Sequence, residues 1–371
     1  MPQNYSVEIS ADNVTYTALT NVQDIALSIG RQRQLDAYNA STASVTMRYP
    51  TGFASPITNI VSGNYARIKN LTTAFTLFTG VINNVDVSYG IPYAGGVGQA
   101  DFLTFTIEGS FAALGRAQGE NYSMAAGTLD YQVEECENQT GISLNSVNSS
   151  QTQMAATTVS STWGDWLNKV LITTNGRMHD AYDANYVAVL SPFDFFASSV
   201  NFSDVANNAT NQVYDQINFG SYADNYYTQV TVDPENFAAA TVETGTAPFR
   251  TLLMNTFNAS TSQATDFANY LLANYDEQGQ ALLSISCLAE AQNTFKLDAI
   301  AGSGSLPIYP GQQVTVTFRG TVFTCIIEGV SITATPESSR YTFYLSGADL
   351  NAYLILDNTV FGKLNNNKLG Y

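Results

Sequence analysis

Catalysis and metal binding need side chains whose protonation or lone pairs can be put to use, and this sequence is poor in them. It holds one histidine, His179, in 371 residues. Histidine is the usual acid or base near neutral pH, but its neighbours Met178 and Asp180 form no triad motif, so His179 reads as a structural residue beside a turn. Cys136, Cys287 and Cys325 lie far apart and form no CxxC pair. With a single histidine they cannot complete the usual zinc sets, and they read as small buried hydrophobes of a protein made in a reducing cytosol. Glu134, Glu135 and Glu137 crowd one stretch, where a solvated acidic face fits better than a calcium loop of alternating oxygen ligands. Gly95-Gly96-Val97-Gly98 has the glycines of a phosphate cradle without the lysine or the following helix, so it reads as a hairpin tip. A glycosidase can work with two carboxylates alone. Among 31 acidic side chains some pair will always look suggestive, and none is marked by a motif. No catalytic residue, cofactor or metal is assigned, and the expectation is a protein that is not an enzyme.

The charge balance narrows the partners. Only 12% of residues are charged, about half the roughly 25% of ordinary soluble domains, and Asn, Ser, Thr and Gln carry the polar load. Such a surface suits a subunit packed permanently against others, because net charge is what holds free molecules apart. The charges present are 31 acidic against 14 basic, a formal net charge of −17. Sequence-independent nucleic-acid binding draws on Lys and Arg neutralising phosphates, so the balance opposes it, whereas an acidic wall lets DNA slide past. The opening residues MPQNYSVEIS lack the basic and apolar regions of a signal peptide, and no apolar run reaches membrane-spanning length. Cytosolic synthesis and no membrane segment are expected.

The elements that would position any site are mostly strands, in keeping with 22 Tyr and 20 Phe. Alternating segments at 5–9, 25–29, 43–49 and 102–107, separated by Gly, Pro and Asn turns, predict a first β-barrel-like domain over residues 1–112. A small α/β domain over 113–198 follows, with a helix through Leu129, Val133 and Cys136 that stops at Gly141. Its second helix is capped by Thr162 and Asp165, presents Trp163, Trp166, Leu167, Val170 and Leu171 on one face, and ends at Asn175-Gly176. A hairpin around Asp183-Ala184-Asn185 closes it. Residues 199–345 form a second β-rich domain with one helix, at about 260–275, capped by Ser260 and Gln263, and 346–371 form a C-terminal docking segment. The fold class is thus mainly β with an α/β insertion. The two β-rich parts hint at a duplicated plan, without a residue-level repeat.

From Gly30-Arg31 through Leu35-Asp36-Ala37-Tyr38 to the strand Ala43-Ser44-Val45-Thr46-Met47, the sequence resembles the N-terminal stretch of long-tailed phage minor tail and tail-tip hub proteins. The resemblance continues through Phe53-Ala54-Ser55-Pro56, Leu77-Phe78-Thr79-Gly80-Val81-Ile82, the segment from Tyr214 to Phe219, Ala223 to Val230, and the C-terminal phrases Ala352 to Leu364 and Gly370-Tyr371. It implies a hub fold of two tube-like β-barrel or sandwich domains with small α/β domains, assembled as a homo-oligomeric ring of three copies at the distal end of a virion tail. Six similar β-domains would then face a hexameric tail tube or distal tail protein, and three-fold symmetry a central spike or fibre, with DNA passing through without specific binding. Such a channel would carry more Asp and Glu than Lys and Arg. A hexameric tube-end ring and a carbohydrate-binding or wall-degrading tail module are the other readings.

Residues suited to an interface can be named on physical grounds. Gly30 permits a sharp bend after the strand at 25–29. Arg31 and Arg33 can fork onto carboxylates of a neighbouring subunit or of their own domain, and the sequence leaves both open. Leu354, Leu356, Phe361 and Leu364 make the C-terminus more apolar than a free tail, so they are expected to pack on the body or on a neighbour.

Overall fold

The computed structural model describes residues 5–49, 60–71, 75–90, 100–147, 153–190, 196–197, 201–205, 211–220, 226–275, 281–289 and 309–347. The first part is all strands: β1 (Tyr5–Ser10), β2 (Thr17–Ala18), β3 (Val22–Gly30), β4 (Thr42–Tyr49), β5 (Tyr65–Asn70), β6 (Phe75–Ser88) and β7 (Asp101–Glu108). Alternation decides which side is buried. Ile25, Leu27 and Ile29 of β3, Ala43, Val45 and Met47 of β4, and Leu103, Phe105 and Ile107 of β7 all enter one core. The strands lie in the order β3-β4-β7-β6-β5-β1-β2.

A layer of helices and short strands follows: α1 (Phe111–Arg116), β8 (Tyr122–Met124), β9 (Gly127–Thr128), α2 (Leu129–Thr140), β10 (Leu144–Val147), β11 (Gln153–Met154), β12 (Thr157–Val159), α3 (Trp163–Thr174), β13 (Arg177–Asp180) and β14 (Val187–Leu190). The Thr128 hydroxyl accepts the Tyr131 N–H at the start of α2, and Gly141 ends that helix in the left-handed conformation at φ 67°. Thr162 caps α3 by accepting the Asp165 N–H, and Asn175 ends it at φ 50°. Trp163, Trp166, Leu167, Val170 and Leu171 pack with Leu129, Val133 and Cys136 and with Val187 and Val189 of the sheet β10-β14-β13 into a second core. The β13–β14 hairpin turns where Asp183-Ala184-Asn185 predicts it.

The last part comprises β15 (Phe196–Ala197), β16 (Asn201–Ser203), β17 (Asn211–Val213), β18 (Gln216–Gly220), β19 (Gln229–Pro234), β20 (Ala240–Glu243), β21 (Thr251–Thr256), α4 (Thr261–Tyr275), β22 (Ala281–Ala289), β23 (Gln312–Phe318), β24 (Thr321–Ala334) and β25 (Ser339–Gly347). The Ser260 hydroxyl accepts the Gln263 N–H, and the Gln263 side chain takes the Ala259 N–H in return. This reciprocal cap starts α4, whose Ala264, Phe267, Ala268 and Leu271 cover Val230 and Val232 of the small sheet β20-β19-β21 as a third core. β18, β22, β25, β24 and β23 instead form a second ladder, which feeds the same core as the first.

The two ladders repeat one another. β3-β4-β7-β6-β5 and β18-β22-β25-β24-β23 are joined by antiparallel pairings in the same order. β6 and β24 are both 14 residues long, and each carries a register shift at the same place, after Ile82 and after Ile327. Set in this register, Thr76-Leu77-Phe78-Thr79-Gly80-Val81-Ile82 falls on Thr321-Val322-Phe323-Thr324-Cys325-Ile326-Ile327, and Thr104-Phe105 falls on Thr342-Phe343. Two glycines in the left-handed region, Gly63 at φ 92° and Gly311 at φ 89°, enter the two meanders. Each donates its N–H, to the carbonyl of Ile82 and of Ile327, both at 2.8 Å. Cross-strand hydroxyl pairs also correspond, Thr46 with Thr104 at 3.5 Å and Ser286 with Thr342 at 2.9 Å.

The expectation of two barrel-like domains is corrected here: among the described residues neither ladder closes on itself, and both belong to one 15-stranded sheet. A barrel forms when the outer edges of one sheet meet. The outer edge of β3 is taken instead by β24, antiparallel from Gly30 opposite Gly329 to Ile25 opposite Ala334. Among the described residues, Val85 to Ser88 and the strand β18 therefore remain at the margins of the joined sheet; of the expected C-terminal docking segment, Ser346 and Gly347 end β25, and 348–371 lie outside the described residues.

Candidate functional site

Where the ladders are spliced, the bulge in β24 turns a charge inward. Glu328 is the extra residue of the bulge, opposite the step from Leu345 to Tyr344, and it is fully buried. Such insertions re-aim a side chain. Its Oε2 accepts the Arg31 Nε–H at 2.8 Å, while Oε1 accepts Arg177 Nε–H and Nη2–H at 3.1 and 3.0 Å and the Ser346 hydroxyl at 2.6 Å. Arg31 also donates its backbone N–H to the Glu328 carbonyl at 3.0 Å, and its guanidinium lies 4.3 Å from the centre of the Tyr38 ring. Gly30 makes this approach possible. Its φ is +78°, and a Cβ there would run into the Glu328 carbonyl oxygen and the Pro310 ring.

Burial raises the proton affinity of Glu328, but the adjacent Arg177 and Arg31 and the Ser346 hydroxyl more than offset it, holding the carboxyl at about 2. Glu328 is thus ionised at neutral pH. The cluster also joins the three cores: Glu328 follows Ile327 of the sheet, Tyr38 belongs to the helical layer, and Gln34 accepts the hydroxyl of Tyr275, at the end of α4, at 2.9 Å. A second buried carboxylate, Asp180, accepts the N–H groups of Ser41 and Phe111, both at 2.7 Å, and ties β13 to the approach to β4 and the start of α1. Burial pushes its proton affinity up against those bonds.

Of the residues singled out from sequence, Arg31 is thus committed within its own chain. Arg33 reaches Asp36 at 3.2 Å from an exposed position. Leu354, Leu356, Phe361 and Leu364 lie outside the described residues, as does the glycine run at 95–98. His179 sits in β13, donates to the Asp180 carbonyl at 3.0 Å and meets the Tyr309 ring edge-on; burial lowers its proton affinity. Cys136, Cys287 and Cys325 are buried. Glu135 accepts the Tyr122 hydroxyl and an amide N–H of Gln139 at the surface. Among the described residues, no three His, Cys, Asp or Glu side chains gather as a metal ion would require. No helix among them is long and apolar enough to cross a membrane. Sequence reasoning missed Glu328 and Arg177. One signal was available for the former, a lone carboxylate inside the apolar strand Val322 to Ile332.

The surface of the sheet turned from the core is hydroxyl-rich. Ala26, Ser28, Thr42, Ser44, Thr106 and Ser331 line an open hollow of about 400 Å³ that crosses the splice from the first ladder onto β24. Asp24, Asp86 and Glu108 share these rows with Arg48, so the face leans acidic. Small neutral hydroxyls offer water-exchangeable hydrogen bonds and no anchoring charge. The arrangement can present a smooth polar wall, with Glu108 at its border paired to Arg116.

No protein-family model matches the sequence, and a search of curated proteins finds no match. Solved structures do share the fold. The 43 kDa tail protein of prophage MuSo2 from Shewanella oneidensis superposes with a TM-score of 0.64 at 10% identity, over 93% of this chain and 98% of that one. The tail protein from Neisseria meningitidis MC58 gives 0.64 at 10% identity, over 94% and 98%. An E. coli component of the type VI secretion system, described as structurally similar to the T4 bacteriophage tail proteins gp27 and gp5, gives 0.57 at 11% identity, over 92% and 77%.

Proposed function

We propose that this chain, whose fold is that of phage tail proteins, is a non-enzymatic tail-tip hub. Three copies form a ring that joins a hexameric tail tube to the distal tip of the virion and lines the passage through which DNA leaves. The observation that carries this reading is the matched pair of ladders, alike in strand order, entry turn and bulge. A ring of three such chains offers six equivalent ladders, the number a six-fold tube needs, while keeping three-fold symmetry for whatever sits below. Homo-oligomers generally close their interfaces by such symmetry. The hydroxyl-rich, mildly acidic sheet face suits the channel side, because a duplex held by phosphate contacts needs Lys and Arg.

A density map of the intact virion tests this directly. Three copies at the distal end of the tail, each presenting both ladders to the tube, are expected. Six copies in one ring would make the chain a hexameric tube-end protein instead, and a position away from the tail axis would end the hub reading. Incubation with host wall material separates the remaining reading, a wall-binding or wall-degrading module, since a hub releases no sugars.

A further inference from the structure

The stretch from Gly30 to Tyr38, singled out in the sequence, has no part in the function proposed above, and its place in the fold gives it one. In the matched ladders the connection from β3 to β4 corresponds to the connection from β18 to β22. The first is residues 31–41 alone, whereas the second carries the small sheet β20-β19-β21 and α4. These equivalent connections grip each other. Gln34 accepts the hydroxyl of Tyr275 at 2.9 Å and also bonds Tyr270, whose hydroxyl takes an amide N–H of Asn175, the residue that ends α3, at 3.0 Å. Leu35 packs on the third core beside both tyrosines.

The rest of the short connection is pinned to the other layers. Arg31 holds Glu328 through its backbone N–H and its guanidinium, and its Nη1–H reaches the Asp36 carbonyl at 3.4 Å. Tyr38 exchanges two bonds with Asn168 of α3, donating its N–H to Oδ1 at 2.9 Å and accepting from Nδ2 at 3.1 Å. Ser41 donates its N–H to Asp180 of β13 at 2.7 Å. The anchors stand at 31, 34, 35, 36, 38 and 41, so little chain is left between them to take up slack, since one residue spans at most about 3.6 Å. Close-packed interiors pass strain on.

We infer that residues 31–41 act as a strap coupling the α4 unit to the splice of the two ladders, so that a displacement of that unit reaches Arg31 and Glu328 and loosens β3 on β24. Load on the small sheet is then felt where the large sheet is joined. Such coupling runs equally in both directions.

Native-state hydrogen exchange of the full chain in low denaturant reads it. In the unaltered protein, amides at 264–275 and at 329–332 are expected to open in one step; two independent openings would overturn the strap. The double variant Leu35→Ala with Tyr275→Phe releases the α4 end and leaves Arg31, Arg177 and Glu328 in place. Its amides at 26–30 and 329–332 should exchange at least about tenfold faster, while those at 66–69, across the first ladder, keep their rates. Glu328→Gln should in turn speed the amides of α4. Lys169→Met cuts the unit's other tie, to Glu235 at 2.9 Å, away from the strap, and should leave the splice amides unchanged. Splice amides at parent rates in the released variant, equal acceleration of the whole sheet, or acceleration at the splice by Lys169→Met would each overturn the inference.

Discussion

Replacing Glu328 by Gln keeps the shape of the side chain and strands two cations. Arg31 and Arg177 side chains are 8% and 3% exposed, so neither can turn to water without breaking the splice. The carboxyl is held at about 2 against an ordinary value of 4.5. A difference of about 2.5 pH units corresponds to roughly 3 kcal/mol. Removing one partner of a buried ion pair typically destabilises by about 3–5 kcal/mol, which agrees. Because the folded value lies below the unfolded one, this stabilisation is complete above pH 4.5 and is lost as pH falls towards 2. Denaturant midpoints at fixed slope are the measurement. Glu328→Gln should lose about 3–5 kcal/mol at pH 7, and its deficit should shrink to within about 1 kcal/mol near pH 2, where the parent chain is protonated as well. The triple change Arg31→Met, Arg177→Met and Glu328→Leu should recover most of the loss, since a well-packed apolar trio is often as stable as the ions it replaces. A deficit under about 1 kcal/mol at pH 7, or one indifferent to pH, would refute the account of the junction.

Gly30→Ala should destabilise by more than about 2 kcal/mol, the left-handed backbone alone accounting for about 1–2 and the Glu328 carbonyl and Pro310 ring for the rest; thermal unfolding reads it. Asp180→Asn keeps one acceptor for the Ser41 and Phe111 N–H groups and forfeits a charge-assisted bond, an expected loss of about 1.5–3 kcal/mol by denaturant titration. Cys136, whose thiol burial pushes up to about 12, and Cys287, also raised by burial, should resist a thiol reagent in the folded chain at pH 8 and react on unfolding; rapid labelling of the native protein would contradict their placement.

Much of this architecture was legible in the residues because local signals and tertiary packing agree. Thr162 with Asp165, Gly141 and Ser260 with Gln263 act within one helical turn, so the limits of α2, α3 and α4 follow from neighbours in the sequence. The alternation in β3, β4 and β7 gives the buried face for the same reason. Pairings across hundreds of residues left no such trace. Arg31 was visible as a forked cation, but its partner Glu328 lies 297 positions away and Arg177 enters from another layer. The duplication showed in the sequence only as a hint, without a residue-level repeat, because connections of unequal length separate matching strands: Val45 and Ile285 correspond across 240 positions and Ile82 and Ile327 across 245. Only the hydrogen-bond register lines them up.

The splice between β3 and β24 also sets a timetable. Residues 25–30 wait for partners about 300 positions further along the chain, and at roughly 5–20 residues per second a ribosome needs on the order of 15–60 s to supply them. Through that interval the N-terminal ladder emerges with its edge unsatisfied, open to pairing with any nascent neighbour on the same message. Slow, non-local closure of this kind delays the native sheet until nearly the whole polypeptide has been made, so maturation of each copy comes after its synthesis and ahead of any productive encounter with the next.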